Sequence, residues 1–410
     1  MVTRSQVKIQ TLLSALLLTL SLVTGCGSDS KTEPDADETP ETGIPVTFFM
    51  HSEDSSHSST PDFTANSDTV TETKAFRSYV GFRRVLISFA KLMHDADITW
   101  DFQPDWNFTE GVLKYEVNSY SIPVAEADLP TVTALLAESN NKNVYQYITE
   151  DLGAVIDPHS HEGTKMGDLT SYNYADVACL ITATGVTPSG IVGGHVMKST
   201  AAAPTSWQKW PRFQSAISGS HETACSWTAT ALMGGGTASH VNQASGSGVW
   251  RPVTPPSWET ASAVAFDVYY WQNDDTSNLP AIGTYEAEDL DSLLSQISAG
   301  TLSSTELFNA TQVFNHSDLA ELAYGDIAST NSQGKFIDSL TAGTGELGPD
   351  AAAQSYFDES VAPLIEKQTA GLVRFKTFEQ VLELWESEYD SRSNLCVMES
   401  GATTCTAVDF

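Results

Sequence analysis

Hydrophobic positions fall into two rhythms that alternate along most of the chain. Short apolar runs recur at Val46–Met50, Ile98–Phe102, Ala154–Ile156, Ile191–Val192, Ala310–Phe314 and Leu372–Phe375. Each is of strand length and is bounded by polar or turn-forming residues. Between them lie longer stretches with apolar residues three and four apart. The clearest runs from Lys74 to His94, where Phe76, Val80, Val85, Phe89 and Leu92 are spaced as on a helix and Arg77, Arg83 and Arg84 fall between. The same reasoning predicts helices over Asn143–Leu152, Asn173–Thr184, Glu286–Ile297, Ala351–Ala370 and Phe378–Tyr389. Gly153 and Gly185 end the first two of these. Strand, helix and strand in repeated order predict an α/β fold with a mainly parallel sheet, open or closed as a (β/α) barrel.

The middle of the chain breaks the rhythm. Trp207, Trp210, Trp227, Trp250 and Trp258 are interleaved with Gly, Ser and Pro. Strands are expected over Thr228–Met233 and Ala263–Tyr270, with long loops between them; another long loop, Ser55–Thr73, should cover the carboxyl end of the first strand. Long loops on a rigid scaffold commonly carry recognition, and exposed Trp can stack on sugar rings.

The N-terminus changes the picture from a plain domain to an exported one. Arg4 and Lys8 precede an apolar run from Leu12 to Val23, which ends in Leu22-Val23-Thr24-Gly25-Cys26. A basic start, a run short for a membrane span and small residues before a Cys read as a lipoprotein signal over 1–25, with Cys26 as the lipidated first residue. Gly27 in place of Asp favours the outer membrane of a bacterial envelope. Residues 26–44, rich in Ser, Asp, Glu, Thr and Pro, bury too little to fold and are expected as a disordered tether. No comparable linker recurs, so 45–390 reads as one domain and 391–410 as a tail. Cys396 and Cys405 flank Gly401 and are expected to close that tail with a disulfide, which leaves Cys179 to pair with Cys225. The formal charge of −32, from 20 basic and 52 acidic residues, excludes a nucleic-acid partner.

Candidate chemistry gathers at strand ends. Asp157-Pro158-His159-Ser160-His161-Glu162 follows the third strand. Residues two apart on an extended backbone share a face, so His159 and His161 can close on one metal ion. Asp157 is the candidate to fix an imidazole's tautomer, and Glu162 adds to the polarity of the cluster. His51-Ser52-Glu53-Asp54 follows the first strand in the same way. Asp54, His159 and His161 then supply one carboxylate and two neutral imidazoles, a set that suits Zn²⁺ above all and also Co²⁺, Mn²⁺ or Fe²⁺. Glu53 is the expected general base, His316 or His195 the general acid, and His51 competes with Glu53 and Asp54. His240, Trp250 and Arg251 are further candidates to line the site. Asp101 with Glu53 would be the carboxylate pair if the chain were a glycoside hydrolase. Gly234-Gly235-Gly236 lacks the lysine of a phosphate loop, and no Gly-x-Ser-x-Gly elbow is present.

The order of these motifs resembles the polysaccharide deacetylase (NodB-homology) family. Glu53-Asp54 stand where that family has an acidic pair after strand one, and Ile98-Thr99-Trp100-Asp101-Phe102 is loosely similar to its second strand. His159 and His161 stand at its histidine motif, though two residues apart rather than four. Thr184-Gly185-Val186-Thr187-Pro188 and Gly193-Gly194-His195 fall near its third motif, and Val313-Phe314-Asn315-His316 is similar to its Leu-x-His motif. The resemblance implies an incomplete, seven-stranded (β/α) barrel with a divalent metal at the strand carboxyl ends. It implies hydrolytic removal of acetyl groups from a polysaccharide. A non-catalytic carbohydrate-binding lipoprotein is the alternative outside the enzymes.

Overall fold

The apolar run at Val46–Met50 becomes the centre of a curled sheet in the computed structural model, which describes residues 43–52, 69–119, 123–160, 172–194, 216–221, 224–235, 246–250, 281–303, 305–325, 347–392, 394–399 and 401–407. The strands are β1 (Ile44–Ser52), β2 (Asp101–Pro104), β3 (Val155–Ile156), β4 (Ile191–Val192), β5 (Ile217–Ser218), β6 (Ser226–Trp227), β7 (Ala231–Gly235), β8 (Gly246–Trp250), β9 (Ala281–Glu286), β10 (Ala310–Asn315), β11 (Val373–Phe375), β12 (Asn394–Glu399) and β13 (Ala402–Ala407). Among the described residues, seven parallel strands in the order β3-β2-β1-β10-β9-β7-β4 curl through 274° into an open half-barrel. The β3 and β4 edges meet through a parallel bridge between His159 and Gly193 beyond the strand ends and through the Ser189 N–H, which donates to the Ile156 carbonyl at 2.8 Å. This is the α/β, incomplete-barrel architecture expected from the sequence.

Helices interleave with the strands: α1 (Thr69–Asp95), α2 (Trp106–Val112), α3 (Leu129–Glu138), α4 (Val144–Gln146), α5 (Tyr174–Ala183), α6 (Leu290–Ser298), α7 (His316–Tyr324), α8 (Pro349–Ser360), α9 (Ala362–Thr369) and α10 (Phe378–Ser387). Local chemistry sets several boundaries. Asn143, Asn173 and Thr377 each accept a backbone N–H from the third residue of α4, α5 and α10, and the Gln or Asp at that position reaches back to the cap. Gly185, at φ +91°, takes over directly after α5. The helix expected over Ala351–Ala370 is two helices, α8 and α9, broken at Val361. Pro363, in the first turn of α9, has no N–H to continue the preceding helix and fits a helix start. None of the described helices is long and apolar enough to cross a membrane.

Alternation along β1 divides the core into two. Phe48 and Met50 face the helices and join the larger apolar cluster with Phe89, Trp100, Phe102 and Phe314. Phe49 points to the concave side, where it meets Ile191, Met233, Ile282, Phe378, Val381 and Trp385. The last three belong to α10, so this helix plugs the concave side. It follows β11, which pairs with Ile44–Val46 at the start of β1, and so plugs the end where the parallel strands begin. Polar residues of the concave side are left above it, toward the strand carboxyl ends.

The C-terminal residues do more than close a tail. β12 pairs antiparallel with β8, and β8 with β9, so the β12–β13 hairpin extends the sheet. Cys396 and Cys405 are directly opposite in that hairpin and bonded, with Cα atoms 4.0 Å apart. Cys179 of α5 is bonded to Cys225, Cα atoms 6.2 Å apart. Two disulfides suit an oxidising compartment outside the cytoplasm.

Candidate functional site

Register aligns a polar column on the concave face. Phe49 of β1 lies beside Asp101 of β2, and His51 beside Gln103. Asp101 lies beside Val155 of β3 and Phe102 beside Ile156, so the next step brings Gln103 level with Asp157. Because side chains alternate, Asp101 and Gln103 share the concave face while Trp100 and Phe102 pack outward. One level higher, the His159–Gly193 bridge links the two edges of the half-barrel.

At the top of this column two imidazoles come together. His51 and His159 have ring centroids 5.5 Å apart, with His51 half-buried and His159 buried. Backbone geometry makes room for the His159 ring. Gly194 has φ +80°, and a Cβ there would stand 2.9 Å from His159 Nε2. A Cβ on neighbouring Gly193 would overlap Gln103 Oε1.

Below the imidazoles the column is acidic. Asp157 accepts from Gln103 Nε2 at 3.0 Å and from Ser189 Oγ. Asp101 accepts from the Phe378 backbone N–H at 3.3 Å, which ties it to the start of α10. Glu379 accepts from the Gly190 N–H at 3.1 Å. Both aspartates are completely buried. Burial, then the neighbouring Asp157 charge, pushes the Asp101 carboxyl well above its usual range. Burial likewise pushes Asp157 up to about 7, against lowering by the Ser189 and Gln103 hydrogen bonds. Two neighbouring carboxylates in a low-dielectric interior cannot both ionise cheaply, which adds to the rise that burial imposes on Asp101.

Several expected roles are corrected by this geometry. His316 is absent from the concave face: it is completely buried at the start of α7, where its Nε2 donates to the Phe82 carbonyl at 2.8 Å. The rings of Phe82, Phe102 and Phe108 stand edge-on to it, so it belongs to the layer between sheet and helices, beyond reach of a substrate at the rim. Asp157, expected beside an imidazole, directs its oxygens to Gln103, Ser189 and Asp101. Asp101 is completely buried against the start of α10 and lies too deep to line a cleft. Trp250, at the end of β8, pairs with Ala281, the first residue of β9, and so sits at the opposite end of the sheet from the rim. His51 and His159 are brought together. Cys26, Glu53, Asp54, His161, Glu162, His195, His240 and Arg251 lie outside the described residues. Among the described residues no three His, Cys, Asp or Glu side chains group to hold a metal ion.

Other members of the site went unread in the sequence. Gln103 is two residues beyond Asp101 on one strand, a spacing that could have marked it as facing the same way. Ser189 and Glu379 carry no such signal, because they arrive through tertiary docking. Near the rim, Trp106, Tyr172 and His221 form a continuous stack, with centroids 4.7 Å apart for the first pair and 3.8 Å for the second. Tyr172 donates its hydroxyl hydrogen to Glu110 at 2.7 Å, and His221 is exposed. No protein-family model matches the chain, and no curated protein matches it.

Proposed function

We propose that the protein is a lipid-anchored, metal-dependent hydrolase that removes acetyl groups from a polysaccharide. One observation carries the reading: His51 and His159, with rings 5.5 Å apart, stand at the carboxyl ends of β1 and β3 on the concave side of a parallel half-barrel. Parallel α/β scaffolds assemble their chemistry at that rim because every strand delivers its following residues there. The donor set supports a borderline divalent ion such as Zn²⁺, since two imidazoles are already adjacent and Asp54 and His161 follow them closely in sequence. Such an ion, when bound, acidifies water and polarises a carbonyl.

The chain's own residues then divide the remaining work. His159 is held against Gly194, so its ring is pre-positioned by backbone. Glu53, next after Ser52 of β1, would take a proton from the attacking water, and His195, next after Gly194, would protonate the leaving amine or alcohol. The stacked Trp106, Tyr172 and His221 offer an aromatic edge of the kind sugar rings rest against, which supports a carbohydrate substrate. A glycoside hydrolase using Asp101 is less consistent with the molecule, because that carboxyl is buried and committed to α10. The leader pattern and Cys26 support lipid anchoring, and Gly27 supports the outer membrane.

Acetate release from acetylated oligosaccharides by the metal-loaded protein tests the reading. His159→Ala should abolish both acetate release and stoichiometric metal binding, whereas Glu53→Gln should keep the metal and lose at least about 10²-fold in turnover. No acetate from any acetylated glycan would favour a carbohydrate-binding protein, and reducing ends without acetate a glycosidase. Cys26→Ser should move the protein from the membrane to the soluble fraction; unchanged membrane association would remove the anchor from the proposal.

A further inference from the structure

On the convex side of the sheet, α1, the end of α3 and the start of α8 enclose a cavity of about 380 Å³. That is near the lower end of the range of ligand pockets, roughly 300 to 1,000 Å³, and suits one sugar ring better than a chain. Arg83, Arg84 and Lys91 of α1 line it. Three cations on one helix face run against a chain in which acidic residues outnumber basic ones by 52 to 20.

Arg83 braces the wall of the cavity from within. Its side chain is completely buried, with Nε donating to Glu116 Oε1 at 2.9 Å. Its Nη2 donates to the Leu135 carbonyl at 2.9 Å and to Ser139 Oγ at 2.7 Å. Nη1 has no acceptor among the described residues. That nitrogen has no accessible surface, so direct contact with a ligand falls to Arg84 and Lys91. Lys91 is exposed and makes no ion pair among the described residues, and Arg84 stands beside the Tyr324 hydroxyl. The start of α8, with Gly348 at its cap and no side-chain cap, adds partial positive charge on the same side.

The opposite wall narrows the ligand class. Glu138 and Asp350 also line the cavity, and Asp350 already accepts from Ser88 Oγ at 2.6 Å. A bare inorganic anion would be repelled by these carboxylates. A ligand with one carboxylate for Arg84 and Lys91 and several hydroxyls to donate to Glu138 and Asp350 would satisfy both walls, while Ile87 and Pro349 offer apolar contact to a ring face. We infer that this cavity binds a sugar acid, a uronate, at a site separate from the concave rim. The inference does not depend on the hydrolase reading, because the cavity and the histidines lie on opposite sides of the sheet.

Titration calorimetry of the mature protein with glucuronate, glucose and acetate tests it. Saturable binding of glucuronate is expected, with glucose and acetate each weaker by at least about tenfold, since glucose lacks the carboxylate and acetate the hydroxyls. Lys91→Glu reverses an exposed charge without touching the core, and Arg84→Gln removes a fork. Each should weaken glucuronate by at least about tenfold at an unchanged thermal midpoint, and neither should change activity at the rim. Equal affinity for glucose or acetate, wild-type affinity in Lys91→Glu, or no saturable glucuronate binding would each overturn the inference.

Discussion

Replacing Asp157 by Asn should change how stability depends on pH, and the structure fixes the sign. Asp157 is completely buried, and its carboxyl is raised from an ordinary 3.8 to about 7. The folded protein therefore holds a proton that the unfolded chain has released across that interval. Stability from this proton is fully present below about pH 3.8 and is lost as pH rises to about 7. Within the window the loss is about 1.4 kcal/mol per pH unit, on the order of 4 kcal/mol in all, before the response of Asp101 is counted. An Asn side chain has the same shape; its oxygen can accept from Gln103 Nε2 and its amide can donate to Ser189 Oγ, so the substitution removes the titration and keeps the partners. Urea unfolding followed by Trp fluorescence at pH 5, 6, 7 and 8, with disulfides intact, measures both proteins. Exposed carboxylates contribute equally to both curves, so the difference isolates this site. Asp157→Asn should lose stability less steeply between pH 5 and 7 and gain on the wild type by pH 8. Parallel curves would refute the buried, protonated pair.

Gly194→Ala should cost about 1–2 kcal/mol from its positive φ and should also weaken metal binding by displacing His159. Gly153→Ala, with φ +75° and nothing within 4 Å of the added methyl, is the control that should share the stability cost and leave metal affinity alone. Non-reducing peptide mapping should show Cys179–Cys225 and Cys396–Cys405 as the two disulfides. Cys396→Ser with Cys405→Ser should lower stability by no more than about 2–3 kcal/mol, because the bond closes a short loop; a larger loss would mean that the hairpin's place in the sheet depends on it.

The repeating strands and helices were legible because their signals are local. β1, α1, β3, α5 and α10 all fall within a few residues of where apolar spacing, Asn or Thr caps and stop glycines put them. The strand Ala281–Glu286 was missed because Ile282-Gly283-Thr284-Tyr285 is short and runs straight into α6, whose helical spacing absorbed its last residue. The expected strand at Ala263–Tyr270 lies outside the described residues. The site was half legible. Strand-end position drew attention to His51 and His159, which the fold brings together, but nothing in Val313-Phe314-Asn315-His316 reveals that α1 supplies the Phe82 carbonyl that takes up His316. Asp101 and Asp157 were read as rim residues because a sequence does not say how deep in a half-barrel a carboxylate lies. That depth is set by α10, which is nearly three hundred residues away from Asp101 along the chain.

The depth of those carboxylates also bears on what the concave side is for. A half-barrel built for stability alone would carry its apolar plug upward, and the cluster of Phe49, Ile191, Met233, Ile282 and Trp385 shows that the lower level does so. Beside it, starting level with Phe49, the apolar residues give way to the column of Asp101, Gln103 and Asp157, with Ser189 just ahead of β4 and every side chain buried. Desolvating these groups is costly, and hydrogen bonding among them recovers the cost only in part. The arrangement nonetheless gives a rigid polar floor, with Gln103 wedged against Gly193 and Asp157 fixed from both sides. A floor of this kind favours a site whose imidazoles must not shift, as Gly194 packed against the His159 ring also does. A surface that only binds glycan could tolerate rotation of that ring; hydrolysis at a fixed ion could not. Loss of acetate release in Gly194→Ala with glycan affinity retained would therefore separate the two readings at the residue where they differ most.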